Sequence, residues 1–310
     1  MSLTMTLPIH IPVLRDEVVK ALNVQPERNY VDATVGLGGH ASAILKNSPG
    51  GNLLGIDADP EALRIASVNL SKYGNSAILV NDNFVNISTL CTKYSFSPVH
   101  GILFDLGVSS LQLETAARGF SFQRDAPLDM RFDPKQELTA SDIVNTFSEI
   151  ELANIIREYG EERYSRQIAH SIIVNRPINT TSRLAQIVEG VYGGRWDRIH
   201  PATKTFLALR LFVNHELENL PIALKQAVDL LVPGGRLAVI SYHSLEDRVV
   251  KNFMKQEAKA CICPPSIPVC QCHHVPTLKP VTKKVVTPSL AEIALNQRSR
   301  SARLRVAERI

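Results

Sequence analysis

Gly36-Leu37-Gly38-Gly39-His40-Ala41 follows a short apolar run, Tyr30-Val31-Asp32, and a second such run ends in an acid at Asp57. Glycines in a turn of this kind let the backbone approach a ligand closely and adopt positive φ, and an acid at the next strand end accepts both hydroxyl hydrogens of a ribose. The chemistry is therefore the holding of an adenosine-bearing cofactor. These residues alone leave three readings open. The turn suits S-adenosylmethionine, it matches the relaxed G-x-G-x-x-A dinucleotide fingerprint with Asp57 at a fitting distance, and a ligand-free turn has the same composition.

Asp105 ends a further apolar run and opens Asp105-Leu106-Gly107-Val108-Ser109-Ser110-Leu111-Gln112. Enzymes that methylate amino groups commonly hold the amine there with Asp/Asn-Pro-Pro-Tyr, and only the acid of that motif is present. Downstream, Arg118-Gly119-Phe120-Ser121-Phe122 and the stretch from Arg124 to Arg131 mix guanidinium groups with aromatic rings, a combination that grips phosphates and stacks on bases. Internal Arg–Asp pairing in a structural loop reads the same way. Cys261-x-Cys263 and Cys270-x-Cys272, followed by His273 and His274, are donors that zinc accepts, but the pairs are tighter than the usual C-x2-C knuckle. The sequence favours a Pro-rich loop here and no metal.

Those groups need a scaffold, and the chain is long enough to supply one. Its 310 residues are 45% hydrophobic and 21% charged, which predicts a soluble protein with two domains or one domain carrying an insertion. No basic apolar leader and no run of transmembrane length is present, so a cytoplasmic location is expected. Four of the five cysteines crowd into residues 261–272, unlike a secreted disulfide framework. Residues 279–310 hold eight basic and two acidic side chains, whereas the rest of the chain sums to −2. A basic end on a near-neutral body suits a polyanion such as RNA, or a charge-protected sheet edge.

Strand-like runs at Tyr30–Asp32, Asn52–Asp57, Ala77–Asn81 and Val99–Asp105 alternate with helical stretches, which predicts a parallel, doubly wound α/β sheet. The clearest helix is Pro60–Tyr73, with Asp59 as its N-cap and Gly74 at its end. Ligands of such sheets sit at the carboxyl ends of the strands, where Gly36–His40, Asp57, the Asp82-Asn83-Phe84 turn and Asp105 converge. From residue 113 to 203 the pattern is helical, as in Ser148-x-x-Glu151 leading into an apolar face closed by Gly160. The sheet pattern resumes with the apolar helix face of Phe206, Leu209 and Val213. Pro233-Gly234-Gly235 then turns into a strand at Arg236–Ser241. The expectation is a discontinuous domain, 1–112 and 204–310, with an inserted helical domain, 113–203, that roofs the crevice and recognises substrate. Lys283–Val286 and Ala302–Val306 are the expected closing strands.

The motifs Asp105-Leu106-Gly107-Val108-Ser109-Ser110, Arg118-Gly119-Phe120-Ser121-Phe122, Leu128-Asp129-Met130-Arg131, Tyr159-Gly160-Glu161-Glu162-Arg163, His200-Pro201-Ala202-Thr203, Ser241-Tyr242-His243-Ser244-Leu245-Glu246-Asp247-Arg248 and Arg300-Ser301-Ala302-Arg303-Leu304-Arg305 occur in that order. Together they resemble the bacterial ribosomal RNA small-subunit methyltransferase H family, also called MraW, from about His10 to Arg309. The resemblance implies a Rossmann-like class I S-adenosylmethionine-dependent methyltransferase sheet with an inserted helical domain. It also implies methylation of the exocyclic N4 of a cytidine in the decoding centre of 16S rRNA. Cofactor contacts then fall on Gly38, Gly39, His40, Asp57, Phe84, Asp105 and Gln112, and catalytic roles on Asp105 and His243. Contacts to substrate RNA fall on Arg118, Phe120, Arg124, Arg131, Arg298 and Arg300. The partner implied is 16S rRNA in the small ribosomal subunit. Monomer and homodimer both stay open, and the rival reading is a non-catalytic RNA-binding or assembly protein that keeps the fold.

Overall fold

The computed structural model describes residues 12–194, 196, 199–264, 269–282 and 284–310. His10, where the family likeness begins, and Lys283, at the head of one expected strand, lie outside them. The chain divides into two compact units, Met1–Gly107 with Leu220–Ile310, and Val108–Asn219.

The first unit is built on a seven-stranded sheet. Its strands are β1 (Asn29–Asp32), β2 (Asn52–Asp57), β3 (Ala77–Asn81), β4 (Val99–Asp105), β5 (Leu231–Ser241), β6 (Leu278–Pro280) and β7 (Arg303–Arg309), in the order β3-β2-β1-β4-β5-β7-β6. Strands β1 to β5 run parallel, while β7 is antiparallel to both β5 and β6. This is the doubly wound parallel sheet that the alternating pattern predicts, closed by the antiparallel β7. Period-2 alternation sends Val31, Leu54, Ile102, Phe104 and Val239 into one core, and Tyr30, Leu53, Leu103, Ala238 and Ile240 into another on the opposite face. Burial on both faces is why these strands read as near-continuous apolar runs.

Local signals explain most boundaries. Asp59 Oδ1 accepts from the Glu61 N–H at 3.0 Å, with Pro60 in the first helical turn. The helix ends at Leu70, ahead of the expected Tyr73, because residues 71–76 tighten into a 3-10 stretch in which Gly74 takes φ 53°. At β5 the pairing jumps from Val99–Leu231 to Gly101–Arg236, so Pro233-Gly234-Gly235 bulges out of the strand. The closing pair differs from the expectation. Val286 makes only an isolated bridge to Leu304, and the ladder to β7 forms at Leu278–Pro280. Pro280 has no N–H to donate, which suits β6 to the sheet edge, where no further strand needs a donor.

The second unit is helical, around a core that includes Leu152, Ile156, Ile168, Ile172, Leu184, Val188 and Leu209. Ser148 and Glu151 form the expected capping box of the helix Glu149–Gly160. The helix Ala202–Val213 contributes Phe206, Leu209 and Val213 to this core, so the unit extends past residue 203 to Asn219. No helix among the described residues is long and apolar enough to cross a membrane.

Candidate active site

The glycine turn leaves β1 and starts the helix Gly39–Asn47, with Gly38 at its N-cap in the left-handed region at φ 84°. A Cβ on Gly39 would come within 2.4 Å of Pro12 Cγ, so this position excludes any larger residue as packed. Asp57 ties the turn to the end of β2. Its Oδ2 accepts from the Gly36 N–H at 2.8 Å and its Oδ1 from the Asp59 N–H at 2.9 Å. Past β3, Asn83 caps the short helix Phe84–Asn86, and half-buried Phe84 sits edge-on to Phe104 with ring centroids 5.7 Å apart.

Asp105 stands at the end of β4 with its carboxylate partly exposed. Its backbone N–H donates to Thr34 Oγ1 at 2.6 Å, and its Oδ1 accepts from the Tyr242 hydroxyl at 2.8 Å. His40 Nε2 lies 3.6 Å from Asp105 Oδ2, just outside hydrogen-bond reach. Burial and the Asp105 carboxylate push the Tyr242 hydroxyl well above the ordinary tyrosine range, so it stays a donor. Behind this group, Asp32 at the end of β1 is 1% exposed. Its Oδ1 accepts from the Thr34 N–H at 3.2 Å, but its Oδ2 has no hydrogen-bond partner among the described residues, and neither have the two ring nitrogens of His40. Burial pushes the Asp32 carboxyl up to about 7, against the pull of His40.

His243 follows β5 as the N-cap of the helix Ser244–Glu257. Its Nδ1 accepts from the Glu246 N–H at 3.4 Å, and Nε2 faces the buried Glu246 Oε1 at 3.1 Å without hydrogen-bond alignment. Glu246 Oε2 in turn accepts from the Tyr242 N–H at 2.9 Å. The imidazole is thus engaged with its own helix terminus, which in turn holds the backbone of Tyr242.

Of the other expected residues, Gln112, Arg118, Phe120, Arg124 and Arg131 belong to the helical unit, and Arg298 and Arg300 to the sheet unit. Gln112 belongs to the helical unit, where it is buried and its Oε1 accepts from the Ser109 N–H at 2.9 Å in a capping box. Arg118 donates to the carbonyls of Arg131 and Phe132, and Arg131 makes a two-point pair with Asp129 at 2.7 and 2.9 Å. Phe120 stacks on Phe132 at 5.6 Å. These contacts are those of a structural loop. Arg124 donates to the Glu114 carbonyl at 3.5 Å, and Arg298 and Arg300 are exposed in the sheet unit. Asp32, Thr34, Tyr242 and Glu246 are the members that sequence reasoning missed. Asp32 and Tyr242 stand inside or beside quoted motifs, and the signal for each was its place at a strand end.

S-adenosylmethionine, the cofactor that the sequence resemblance implies, brings a ribose diol, an adenine ring, a carboxylate and two positive centres. The chain offers a carboxylate at Asp57, a ring at Phe84, helix N–H groups at the glycine turn, and a buried, incompletely paired acid at Asp32. These groups are complementary in type to such a ligand. Comparison with known proteins gives the family. Residues 8–310 match the MraW methylase family. The ribosomal RNA small subunit methyltransferase H of Dehalococcoides mccartyi strain ATCC BAA-2266 is 57% identical over 302 residues, covering 97% of this chain and 86% of that protein. The protein of the same name from Thermomicrobium roseum is 52% identical over 305 residues, covering 97% and 94%. Among solved structures, a putative rRNA methylase from Clostridium thermocellum aligns with 97% of this chain and all of its own at a TM-score of 0.44 and 16% identity.

Proposed function

Because the chain belongs to the MraW methylase family, whose cofactor is S-adenosylmethionine, we propose that it methylates the exocyclic N4 of a cytidine in the decoding centre of 16S rRNA. The observation that carries the reading is Asp105, a partly exposed carboxylate held by the Tyr242 hydroxyl at 2.8 Å beside His40 and the glycine turn. S-adenosylmethionine supplies an electrophilic methyl group on a sulfonium. The cytosine amine donates its lone pair into the ring and is a poor nucleophile. Asp105 answers this by accepting a hydrogen bond from the amine, which orients the nitrogen and draws its lone pair out of conjugation. Tyr242, fixed by Glu246 at its backbone and protonated throughout, keeps the Asp105 carboxylate in one rotamer. The proton that the methylated nitrogen sheds passes to Asp105 or to water. His243 acts through the helix cap and Glu246, a positioning role.

A base must leave its stack to reach such a group, so the substrate is a splayed or flipped nucleotide in folded RNA. The helical unit is the substrate-recognition part in this reading, with exposed Arg124 available to a phosphate. The test is methyl transfer to small subunits and to free 16S rRNA, with the product nucleoside identified by mass spectrometry. N4-methylcytidine is the expected product. A product at ring C5 or on a ribose hydroxyl, with none at N4, overturns the proposal. Absence of any transfer alongside tight RNA binding would favour a non-catalytic assembly protein.

A further inference from the structure

Outside the methyl-transfer site, Cys261, Cys263, Cys270 and Cys272 bring their four Sγ atoms within 4.8 Å of one another. Cys270 and Cys272 Sγ lie 3.5 Å apart, and Cys272 and Cys261 Sγ 3.8 Å apart. All four are free thiols, and these separations far exceed the bond length of about 2.05 Å in a disulfide. They match the edge of a sulfur tetrahedron around zinc, about 3.8 Å for Zn–S bonds of about 2.3 Å. A cluster of several irons would spread its four ligands further. The short C-x-C spacing, which looks unfavourable from sequence, has a geometric use. In an extended segment residues i and i+2 face the same side, so each limb presents two sulfurs to the other. The limbs also cross-brace: the Ile262 N–H points at Cys272 Sγ and the Gln271 N–H at Cys263 Sγ, each at 3.4 Å. N–H donors to sulfur are what a thiolate centre needs to offset its charge.

We propose that these four cysteines form a structural Zn2+ site that staples the two limbs of the excursion between Glu257 and Thr277. The excursion is closed at its base, where the Thr277 N–H donates to the Glu257 carbonyl at 2.8 Å and the Thr277 hydroxyl to the Glu257 carboxylate. Among its described residues, the apolar side chains of Ile262, Val269 and Val275 stay exposed. On binding, four S–H bonds give up their protons to solvent as four Zn–S bonds form. The metal keeps its oxidation state, and the centre carries a net charge of about −2.

Full-length protein purified under reducing conditions without chelator should hold about one zinc per chain by elemental analysis. After the zinc is removed, titration with Co2+ should give the visible and charge-transfer bands of a tetrahedral thiolate centre. Cys270→Ser with Cys272→Ser should lower zinc below about a tenth of an equivalent, while Cys91→Ala, a change in the sheet core, leaves it in place. Calorimetry with S-adenosylmethionine shows whether the double variant is folded; if it is not, the Co2+ spectrum of the unmutated protein decides. Wild-type protein with less than about a tenth of an equivalent of zinc and no cobalt–thiolate spectrum would overturn the proposal. So would zinc retained by a folded double variant, or iron with its own visible chromophore in place of zinc.

Discussion

Asp32 places a carboxylate with one oxygen unpartnered among the described residues in the floor of the candidate site, and its ionisation couples folding to pH. In the folded protein its pKa is raised to about 7 from an ordinary value of 3.8, chiefly by burial. Below the ordinary value both folded and unfolded chains hold the proton, and Asp32 costs nothing. As pH rises, the unfolded chain ionises first, so stability drains away until the folded carboxyl also ionises, and then levels off. Asp32→Asn removes this dependence. The difference in melting temperature between Asp32→Asn and wild type should be near zero at about pH 4, grow with pH, and reach a plateau above about pH 7. Saturating S-adenosylmethionine should shrink the difference, because positive centres near the acid favour its ionised form. A difference that stays flat from acid to alkaline pH would show that Asp32 titrates normally. Of this site, Asp57 and Asp105 were legible because acids at strand ends beside a glycine turn are conspicuous. Tyr242 was not, since its role depends on β5 lying next to β4, a pairing between residues more than a hundred positions apart.

At the scale of elements, Gly160 shows how a correct boundary can rest on the wrong cause. The helix Glu149–Gly160 does end there, but the left-handed residue is Glu161 at φ 48°, while Gly160 is buried inside the helix. A Cβ on it would meet the Lys204 carbonyl oxygen at 2.7 Å and Ala208 Cβ at 3.3 Å, so the glycine lets the helix Ala202–Val213 approach closely. Gly160→Ala should therefore destabilise the protein by about 1–3 kcal/mol through overpacking, although alanine ordinarily favours a helix interior. Denaturant unfolding followed by tryptophan and far-UV signals measures it, and an unchanged or raised midpoint would refute the close-packing account. The same distinction explains what the sequence could and could not say. Elements set by local chemistry, such as Asp59-Pro60 or Ser148-x-x-Glu151, were readable because the cap lies within three residues of the helix it starts. The side on which Phe206, Leu209 and Val213 pack was not, since an apolar stripe reports that a partner exists and not which one. Likewise Val285-Val286 has strand character, yet the ladder formed at Leu278–Pro280 because pairing with β7 is a tertiary choice.

Across the whole molecule, the basic C-terminal segment carries less available charge than its composition suggests. Arg305 makes a two-point pair with Asp247 at 2.7 and 3.1 Å, and Arg303 reaches the same carboxylate at 3.1 Å. Burial would raise the Asp247 carboxyl, but the two guanidinium groups outweigh it and hold it below the ordinary range. Arg236 pairs with Glu308, and Arg309 donates to the Thr277 carbonyl. This part of the segment fastens β7 to the sheet, so mutating Arg303 or Arg305 would confuse folding with binding. Arg298 and Arg300 are exposed on the turn between the helix Leu290–Leu295 and β7. If they meet phosphates of the RNA, each contact releases counterions and adds about −0.7 to the log–log slope of affinity against salt. Arg298→Ala with Arg300→Ala should weaken binding to small subunits and make that slope shallower by about 1.4, with unchanged affinity for S-adenosylmethionine. Binding measured from low to moderate salt separates the possibilities. An unchanged affinity and slope would mean that the charge serves only to protect the sheet edge, and that the phosphate contacts lie on other surfaces.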